Sequence, residues 1–125
     1  MEMKVLVVDD EEGFASLLAG HLKARDISAE CVYLGKKALD RVLHFRPDVV
    51  ILDMQMPDIH GVEVLAQIES ACPDVEVIVL TGNTSFDTGI ECMKLGAFDY
   101  IFKPVDVDEL IETIESAFLK KTDGR

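Results

Sequence analysis

The sequence lacks the features that mark several classes of protein. Its three cysteines, Cys31, Cys72 and Cys92, are odd in number and widely spaced, which matches neither a disulfide framework nor a zinc site and favours free thiols in a reducing cytoplasm. No run approaches the roughly 18 consecutive apolar residues of a membrane span. Positive charge is scarce, with 12 Lys and Arg against 24 Asp and Glu. The net charge of −12 opposes nonspecific binding to nucleic acid or to an anionic membrane.

The chain is nevertheless long and apolar enough for one domain with a packed core. It has 125 residues, of which 49% are apolar, and a domain of this length buries roughly 65% of the surface that its unfolded chain exposes. No repeat, linker or low-complexity tract divides it. We therefore expect one domain over residues 1–121, followed over 122–125 by a polar tail or the start of a linker.

Apolar runs indicate five strands. Three of the runs are continuous and rich in β-branched residues, and a shorter one comes later; they are Val5–Val8, Val49–Leu52, Val77–Leu80 and Tyr100–Phe102. Such runs are typical of strands buried on both faces of a parallel sheet. Ser28–Tyr33 alternates polar with apolar residues instead, which predicts an edge strand.

Between these runs the apolar residues recur with the period of an amphipathic helix. The fourth of the five helices has a thin apolar stripe that contains Gly89, which costs a helix about 1 kcal/mol relative to alanine. Asp106 precedes the last helix as a candidate cap, with Glu109 placed to reach back. Strands and helices that alternate five times predict an α/β fold with right-handed crossovers and a parallel sheet between two layers of helices.

Polar side chains follow four of the predicted strands. They are Asp9 and Asp10 after the first, Asp53 after the third, Thr81 after the fourth and Lys103 after the fifth. The carboxyl ends of parallel strands meet at one edge of the sheet, where α/β proteins bind their ligands. We therefore expect these side chains to meet in one shallow cleft.

The residue types in this cleft indicate a chemistry. Close carboxylates raise one another's pKa values unless a cation lies between them, and without a His or Cys ligand at hand the expected ion is Mg²⁺. Lys103 and Thr81 would face that ion and complete a site for a phosphoryl group. A carboxylate can accept phosphoryl as a nucleophile, and Asp53 stands apart from Asp9 and Asp10, which best serve the metal.

Four motifs resemble, in order and spacing, those of the receiver domain of bacterial two-component response regulators. They are Val8–Glu11, Leu52–Pro57, Leu80–Gly82 and Lys103–Pro104, and the resemblance covers essentially the whole chain. It implies a flavodoxin-like (βα)5 three-layer sandwich with a five-stranded sheet of order 2-1-3-4-5. It also implies a phosphoacceptor switch, not a turnover enzyme, that assists its own dephosphorylation.

The resemblance implies a role for each site residue. Asp53 is the phosphoacceptor and, with the others, a metal ligand. Asp10 binds Mg²⁺ directly, Asp9 binds it through water, and the backbone carbonyl of Gln55 completes the protein ligands. Gln55 also lies, with Asn83, at one of two variable positions that flank the phosphate and affect its hydrolysis.

The remaining implied roles concern the phosphoryl group and the switch. Thr81 and Lys103 contact the phosphoryl oxygens, helped by the backbone amides of Met54 and Gly82. Tyr100 is the aromatic residue that moves together with Thr81.

The resemblance also implies a backbone feature and a set of partners. The Lys103–Pro104 peptide bond is cis, because Lys103 must turn back toward Asp53. The phosphoryl donor is a sensor histidine kinase or a histidine phosphotransfer protein. The surface of the fourth helix, fifth strand and fifth helix then controls an output domain or effector, or pairs with a second copy of the domain.

Two other functions remain as alternatives at this point. A metal-dependent phosphohydrolase would carry its nucleophile in an Asp-x-Asp pattern after the first strand, where this chain has Asp9, Asp10 and Glu11. A flavin or nucleotide carrier would need a phosphate-binding loop there, and four successive acids repel phosphate. Glu11 and Glu12 either extend the metal site or favour the positive end of the first helix dipole.

Overall fold

The computed structural model describes residues 2–82 and 86–123. Its sheet has five strands, β1 (Lys4–Val8), β2 (Ser28–Val32), β3 (Val49–Asp53), β4 (Glu76–Thr81) and β5 (Asp99–Phe102). Neighbouring strands are all parallel, and their order is β2-β1-β3-β4-β5. The predicted topology is confirmed, and the half-polar strand β2 lies at an edge, as its alternating pattern predicts.

Five helices connect and cover the strands. They are α1 (Glu12–Lys23), α2 (Ala38–Phe45), α3 (Gly61–Ala71), α4 (Phe86–Lys94) and α5 (Val107–Asp123), with one short 3₁₀ turn (Gly35–Lys37) before α2. In the described part of the chain, no helix combines the length and apolar character needed to cross a bilayer.

The central strands β1, β3 and β4 are buried on both faces. Strand β5, which the sequence predicts to be buried as well, is only partly buried, because it lies at the second edge of the sheet. In β1, Val5 and Val7 belong to a core shared with α1 and α5, whereas Leu6 and Val8 belong to a second core shared with α2 and α3. This is why the central strands are continuous apolar runs: each residue, whichever way it points, meets a layer of helices. The two cores hold the sheet rigidly and leave its carboxyl edge for polar side chains.

Helix α5 begins and ends at well-defined contacts. The Asp106 carboxylate accepts hydrogen bonds from the amides of Asp108 (3.0 Å) and Glu109 (3.3 Å), which confirms the predicted cap. At the other end the Thr122 hydroxyl donates to the carbonyl of Phe118 (3.2 Å). The helix continues through residue 123 and so includes the first two residues of the segment 122–125, which the sequence predicts to be a polar tail or the start of a linker.

Gly89 has a packing role that the helical pattern does not reveal. A Cβ atom at this position would lie 2.6 Å from Cδ2 of Tyr100, which is closer than non-bonded carbon atoms approach. The missing side chain therefore allows α4 to lie directly against the Tyr100 ring. The helix propensity lost at Gly89 is exchanged for this close contact between α4 and β5.

Candidate functional site

The predicted site residues meet at the carboxyl edge of the sheet. Asp9 follows β1, Asp53 ends β3 and Thr81 ends β4, with exposed fractions of 0%, 2% and 0%. They are the polar or charged residues that are fully buried within residues 2–82 and 86–123. Burial of polar groups is costly unless they are paired, so their convergence at one edge marks a functional site.

Lys103 is shared by three carboxylates. Its Nζ lies 3.3 Å from Asp9 Oδ2, 3.4 Å from Asp53 Oδ2 and 3.0 Å from Glu11 Oε1. The first two contacts follow from the convergence of strand ends that the sequence predicts. The sequence predicts that Glu11 either extends the metal site or favours the positive end of the first helix dipole. In the structure its carboxylate instead forms an ion pair with Lys103.

One lysine does not neutralise this cluster. The pKa of Asp9 is raised to about 6, mainly because the carboxyl is buried and also because Asp53 lies nearby, although the Glu11 amide and Lys103 favour its charged form. Burial lowers the pKa of Lys103, but its hydrogen bond to Glu11 and the charges of Asp53 and Asp9 outweigh burial, so the pKa is raised overall. The cluster therefore has an excess of negative charge.

The acidic cluster fits a hard divalent cation. Carboxylate oxygens of Asp9, Asp10 and Asp53 all lie within 4.8 Å of one another, and two oxygens bound to one Mg²⁺ lie about 3 to 4 Å apart. Asp10 is exposed while the other two are buried, so a bound ion could keep water on one side. A cation there would also relieve the repulsion that raises the pKa of Asp9.

The loop after β3 surrounds the Asp53 carboxylate. The Gln55 amide donates to Asp53 Oδ1 at 3.0 Å, a contact the sequence analysis did not single out. The Met54 amide donates to the Leu80 carbonyl at 2.9 Å, so the predicted contact between Met54 and a phosphoryl group would require that bond to be released. Of these two amides, that of Gln55 contacts the Asp53 carboxylate in this structure.

The Gln55 side chain closes over Gly82. A Cβ atom at Gly82 would lie 2.5 Å from Gln55 Nε2, so a side chain at position 82 would force Gln55 away. The two residues thus form one wall beside Asp53. Asn83, the other variable position of the prediction, lies outside the described residues.

Thr81 and Lys103 complete the site. The Thr81 Oγ1 atom is buried and has no hydrogen-bond partner among the described residues, so its hydroxyl can donate to a bound group. The Lys103–Pro104 bond is cis, as the resemblance implies. Phe14, Gln55, Lys103 and Pro104 border an open cleft of about 520 Å³ over this site.

The comparisons with known proteins decide the family. The response regulator receiver domain family matches residues 5–115. The chain belongs to this family. The flavodoxin-like fold predicted from the motifs is thereby confirmed, and the phosphohydrolase and nucleotide-carrier alternatives are set aside.

Individual relatives agree with this assignment. The regulatory protein LuxO of Vibrio vulnificus is 34% identical over 114 residues, which are 91% of this chain and 25% of LuxO. The regulatory protein AtoC of Escherichia coli is 32% identical over 114 residues, again 91% of this chain and 25% of the relative. This receiver domain therefore spans about a quarter of the length of the curated relatives it matches.

Solved structures of similar domains have the same architecture. A response regulator receiver domain protein from Clostridium thermocellum is 32% identical, with a TM-score of 0.92 over 98% of this chain and 99% of that chain. The receiver domain of the Francisella response regulator 1452 is 29% identical, with a TM-score of 0.87 over 95% and 98% of the two chains. Both match nearly end to end.

Proposed function

We propose that this receiver domain accepts a phosphoryl group on Asp53 from a phosphohistidine of a sensor kinase or of a histidine phosphotransfer protein. The observation that carries the proposal is the arrangement around Asp53. Its carboxylate is buried below an open cleft, beside one lysine, the unpartnered Thr81 hydroxyl and two further carboxylates. A nucleophile, a cation and a spare donor at one place are what phosphoryl transfer requires.

In phosphoryl transfer the protein contributes mainly positioning and electrostatic stabilisation and little covalent chemistry. An oxygen of Asp53 forms a bond to phosphorus while the P–N bond of the donor breaks, and the imidazole nitrogen keeps that electron pair. Lys103, Thr81 and the backbone amide of Gly82 pair with the phosphoryl oxygens, and the Met54 amide joins them once its hydrogen bond to the Leu80 carbonyl is released. Asp10, Asp53 and the Gln55 carbonyl would hold Mg²⁺ directly and Asp9 would hold it through water; the ion would supply positive charge that offsets the approach of an anion to three carboxylates.

The phosphorylated state would end by hydrolysis. Attack of water on phosphorus breaks the acyl phosphate, regenerates the Asp53 carboxylate and releases inorganic phosphate. Gln55 lies beside Asp53 and over Gly82, where its side chain controls how water reaches the phosphorus atom. The protein is thus a switch with its own return step.

A conformational change would carry the signal to the surface. Thr81 gains a partner when a phosphoryl group is present, and its movement changes the space next to Tyr100. The Tyr100 ring lies against Gly89 of α4, so a movement of the ring shifts that helix. Helix α4 and strand β5 expose Ile90, Met93 and Phe102, an apolar surface suited to an output domain, an effector or a second copy.

Labelling with a small-molecule donor tests the acceptor. Acetyl phosphate with Mg²⁺ should add one phosphoryl group to the wild type, seen by intact mass, and Asp53→Asn or chelation of the metal should abolish this. Asp74→Asn is the matched control, because Asp74 is exposed and lies at the opposite edge of the sheet. Full labelling of the Asp53→Asn protein would refute the assignment.

Nuclear magnetic resonance with beryllofluoride, a phosphoryl mimic, tests the switch. With Mg²⁺, beryllofluoride should move the resonances of Tyr100 and of α4 as well as those of the loop after β3. Thr81→Ala should still bind the mimic but leave Tyr100 and α4 nearly unmoved. Wild-type changes confined to the surroundings of Asp53 would contradict the switch and leave the acceptor role intact.

A further inference from the structure

The environment of the Lys103 ammonium limits what it can bind. An ammonium group has three N–H donors, and three carboxylates lie at ion-pair distance from it, those of Asp9, Glu11 and Asp53. Asp9 and Glu11 accept hydrogen bonds from it, whereas Asp53 lies at ion-pair distance without one. A phosphoryl group on Asp53 can therefore gain more than one hydrogen bond from Lys103 only when Asp9 or Glu11 releases the ammonium. The question is which carboxylate competes with the phosphoryl group.

Glu11 differs from the other two in distance, exposure and place. It makes the shortest contact, 3.0 Å, and its side chain is 66% exposed. Asp9 and Asp53 belong to the group of carboxylates that converge on one point suited to a cation, together with Asp10. If those carboxylates bound a cation, Glu11 would be the acid that remains on Lys103.

The backbone of Glu11 is fixed by its neighbours. Its amide donates to Asp9 Oδ1 at 2.9 Å, and its carbonyl accepts from the Ala15 amide at 3.0 Å in the first turn of α1. Glu11 precedes α1 without a side-chain capping bond, so its carboxylate is not engaged in starting the helix. Because the backbone is fixed and the side chain does not cap the helix, the Glu11 carboxylate lies at the rim of the cleft and pairs with Lys103.

We propose that Glu11 is a positioning residue that holds Lys103 before phosphorylation and competes with the incoming phosphoryl group for its ammonium. Glu11 thereby sets how readily Asp53 is modified, and this inference rests on the phosphoacceptor function proposed above. An exposed ion pair is weak, which allows a phosphoryl group to displace it; its strength corresponds to about a two- to fivefold change in an equilibrium constant.

The variant Glu11→Gln tests the proposal, since it keeps the length of the side chain and removes its charge. Glu12→Gln is the matched control: it removes the same charge one residue further on, and Glu12 makes no ion pair among the described residues. Two measurements are needed, the side-chain resonances of Lys103 in the metal-free protein and the affinity for beryllofluoride at saturating Mg²⁺.

The expected results separate the two variants. Glu11→Gln should shift the Lys103 resonances without metal and should bind beryllofluoride about two- to fivefold more tightly than the wild type. Glu12→Gln should do neither. Unchanged Lys103 resonances in Glu11→Gln would overturn the proposal, as would equal beryllofluoride affinities of the two variants.

The two measurements also distinguish this proposal from the function on which it rests. If the wild type bound no beryllofluoride, the phosphoacceptor function and the competition would both be wrong. The Lys103 resonances in the metal-free protein would then still report whether the ion pair with Glu11 exists.

Discussion

The amino and carboxyl edges of the sheet, where its strands begin and end, differ in how their acidic side chains are paired. At the amino edge, Asp48 precedes β3 and is matched with donors: its Oδ1 accepts from Lys121 Nζ at 2.7 Å and its Oδ2 from the Lys4 amide at 2.9 Å. At the carboxyl edge, Asp9 and Asp53 share one lysine with a third acid. The first arrangement is satisfied as it stands, and the second has negative charge in excess.

The difference indicates that the amino edge contributes to stability and that the carboxyl edge is suited to binding. A matched, partly buried pair fixes the chain, and here it ties the end of α5 to the start of β3. An unmatched cluster opposes folding and is useful only when something else binds there. Replacement of an aspartate by asparagine should therefore lower the free energy of unfolding at the amino edge and raise it at the carboxyl edge.

The largest stability effect is expected at the amino edge. Asp48→Asn should lower the free energy of unfolding by about 2 to 3 kcal/mol, because an amide group cannot accept from both Lys121 and the Lys4 amide. The Asp48 and Lys121 side chains are only 17% and 10% exposed, so water would not replace the lost bonds. Urea unfolding measures the change, with Asp74→Asn as the exposed control; equal stability of the two variants would show that the edge is not held by this pair.

The opposite sign is expected at the carboxyl edge. Without divalent metal, Asp9→Asn should raise the free energy of unfolding by about 1 to 2 kcal/mol, because it removes a carboxylate whose pKa is raised to about 6 by burial and by Asp53. The Asn side chain still accepts from the Glu11 amide. Addition of Mg²⁺ should raise the melting temperature of the wild type and not that of the variant. A metal-free variant less stable than the wild type would contradict the contrast between the edges.

A smaller, pH-dependent effect is expected at Glu69, an exception at the amino edge. Its Oε1 is buried without a partner among the described residues, and its pKa is raised to about 6 by burial and by the charge of Glu76, against the effect of Lys120. The folded state therefore binds the proton more tightly than the unfolded state. Ionisation of Glu69 lowers stability as the pH rises from 4.5, the ordinary pKa, to above about 6, the pKa in the folded state.

Replacement of Glu69 should remove that pH dependence. Glu69→Gln should raise the free energy of unfolding by about 1 kcal/mol at pH 7.5, a value reduced for partial solvent screening. The gain should fall to almost nothing well below the ordinary pKa of a glutamate, where Glu69 is neutral in both the folded and the unfolded state. Glu112→Gln, on the exposed face of α5, is the control. A gain from Glu69→Gln that did not shrink as the pH falls would rule out this explanation.

The sequence predicts the carboxyl edge far better than the amino edge. Asp9, Asp53, Thr81 and Lys103 each follow an apolar run, and the topology of a parallel sheet brings such positions together whatever the detailed packing. The motifs then assign the family. The first inference depends on the order of elements, which periodicity reveals, and the second depends on the resemblance of the motifs.

Contacts between distant side chains are not accessible in this way. Lys121 reaches Asp48 across 73 residues, and Lys103 reaches Glu11 across 92. Each depends on the direction in which a long side chain leaves a helix or loop, and a pattern of residue types does not encode that direction. Gly89 is a similar case, because its pattern shows the loss of helix propensity but not the ring of Tyr100 against it.

The most direct test of the account is to locate the phosphoryl group. Wild-type protein labelled with acetyl phosphate and Mg²⁺ is treated with borohydride. Borohydride reduces an acyl phosphate to an alcohol and so converts the modified aspartate into homoserine. The protein is then digested, and its peptides are sequenced by tandem mass spectrometry. If Asp53 is the phosphoacceptor, homoserine should be found at position 53 alone. Homoserine at position 9 or 10, or a phosphate that resists borohydride because it is on the Thr81 hydroxyl, would contradict this assignment.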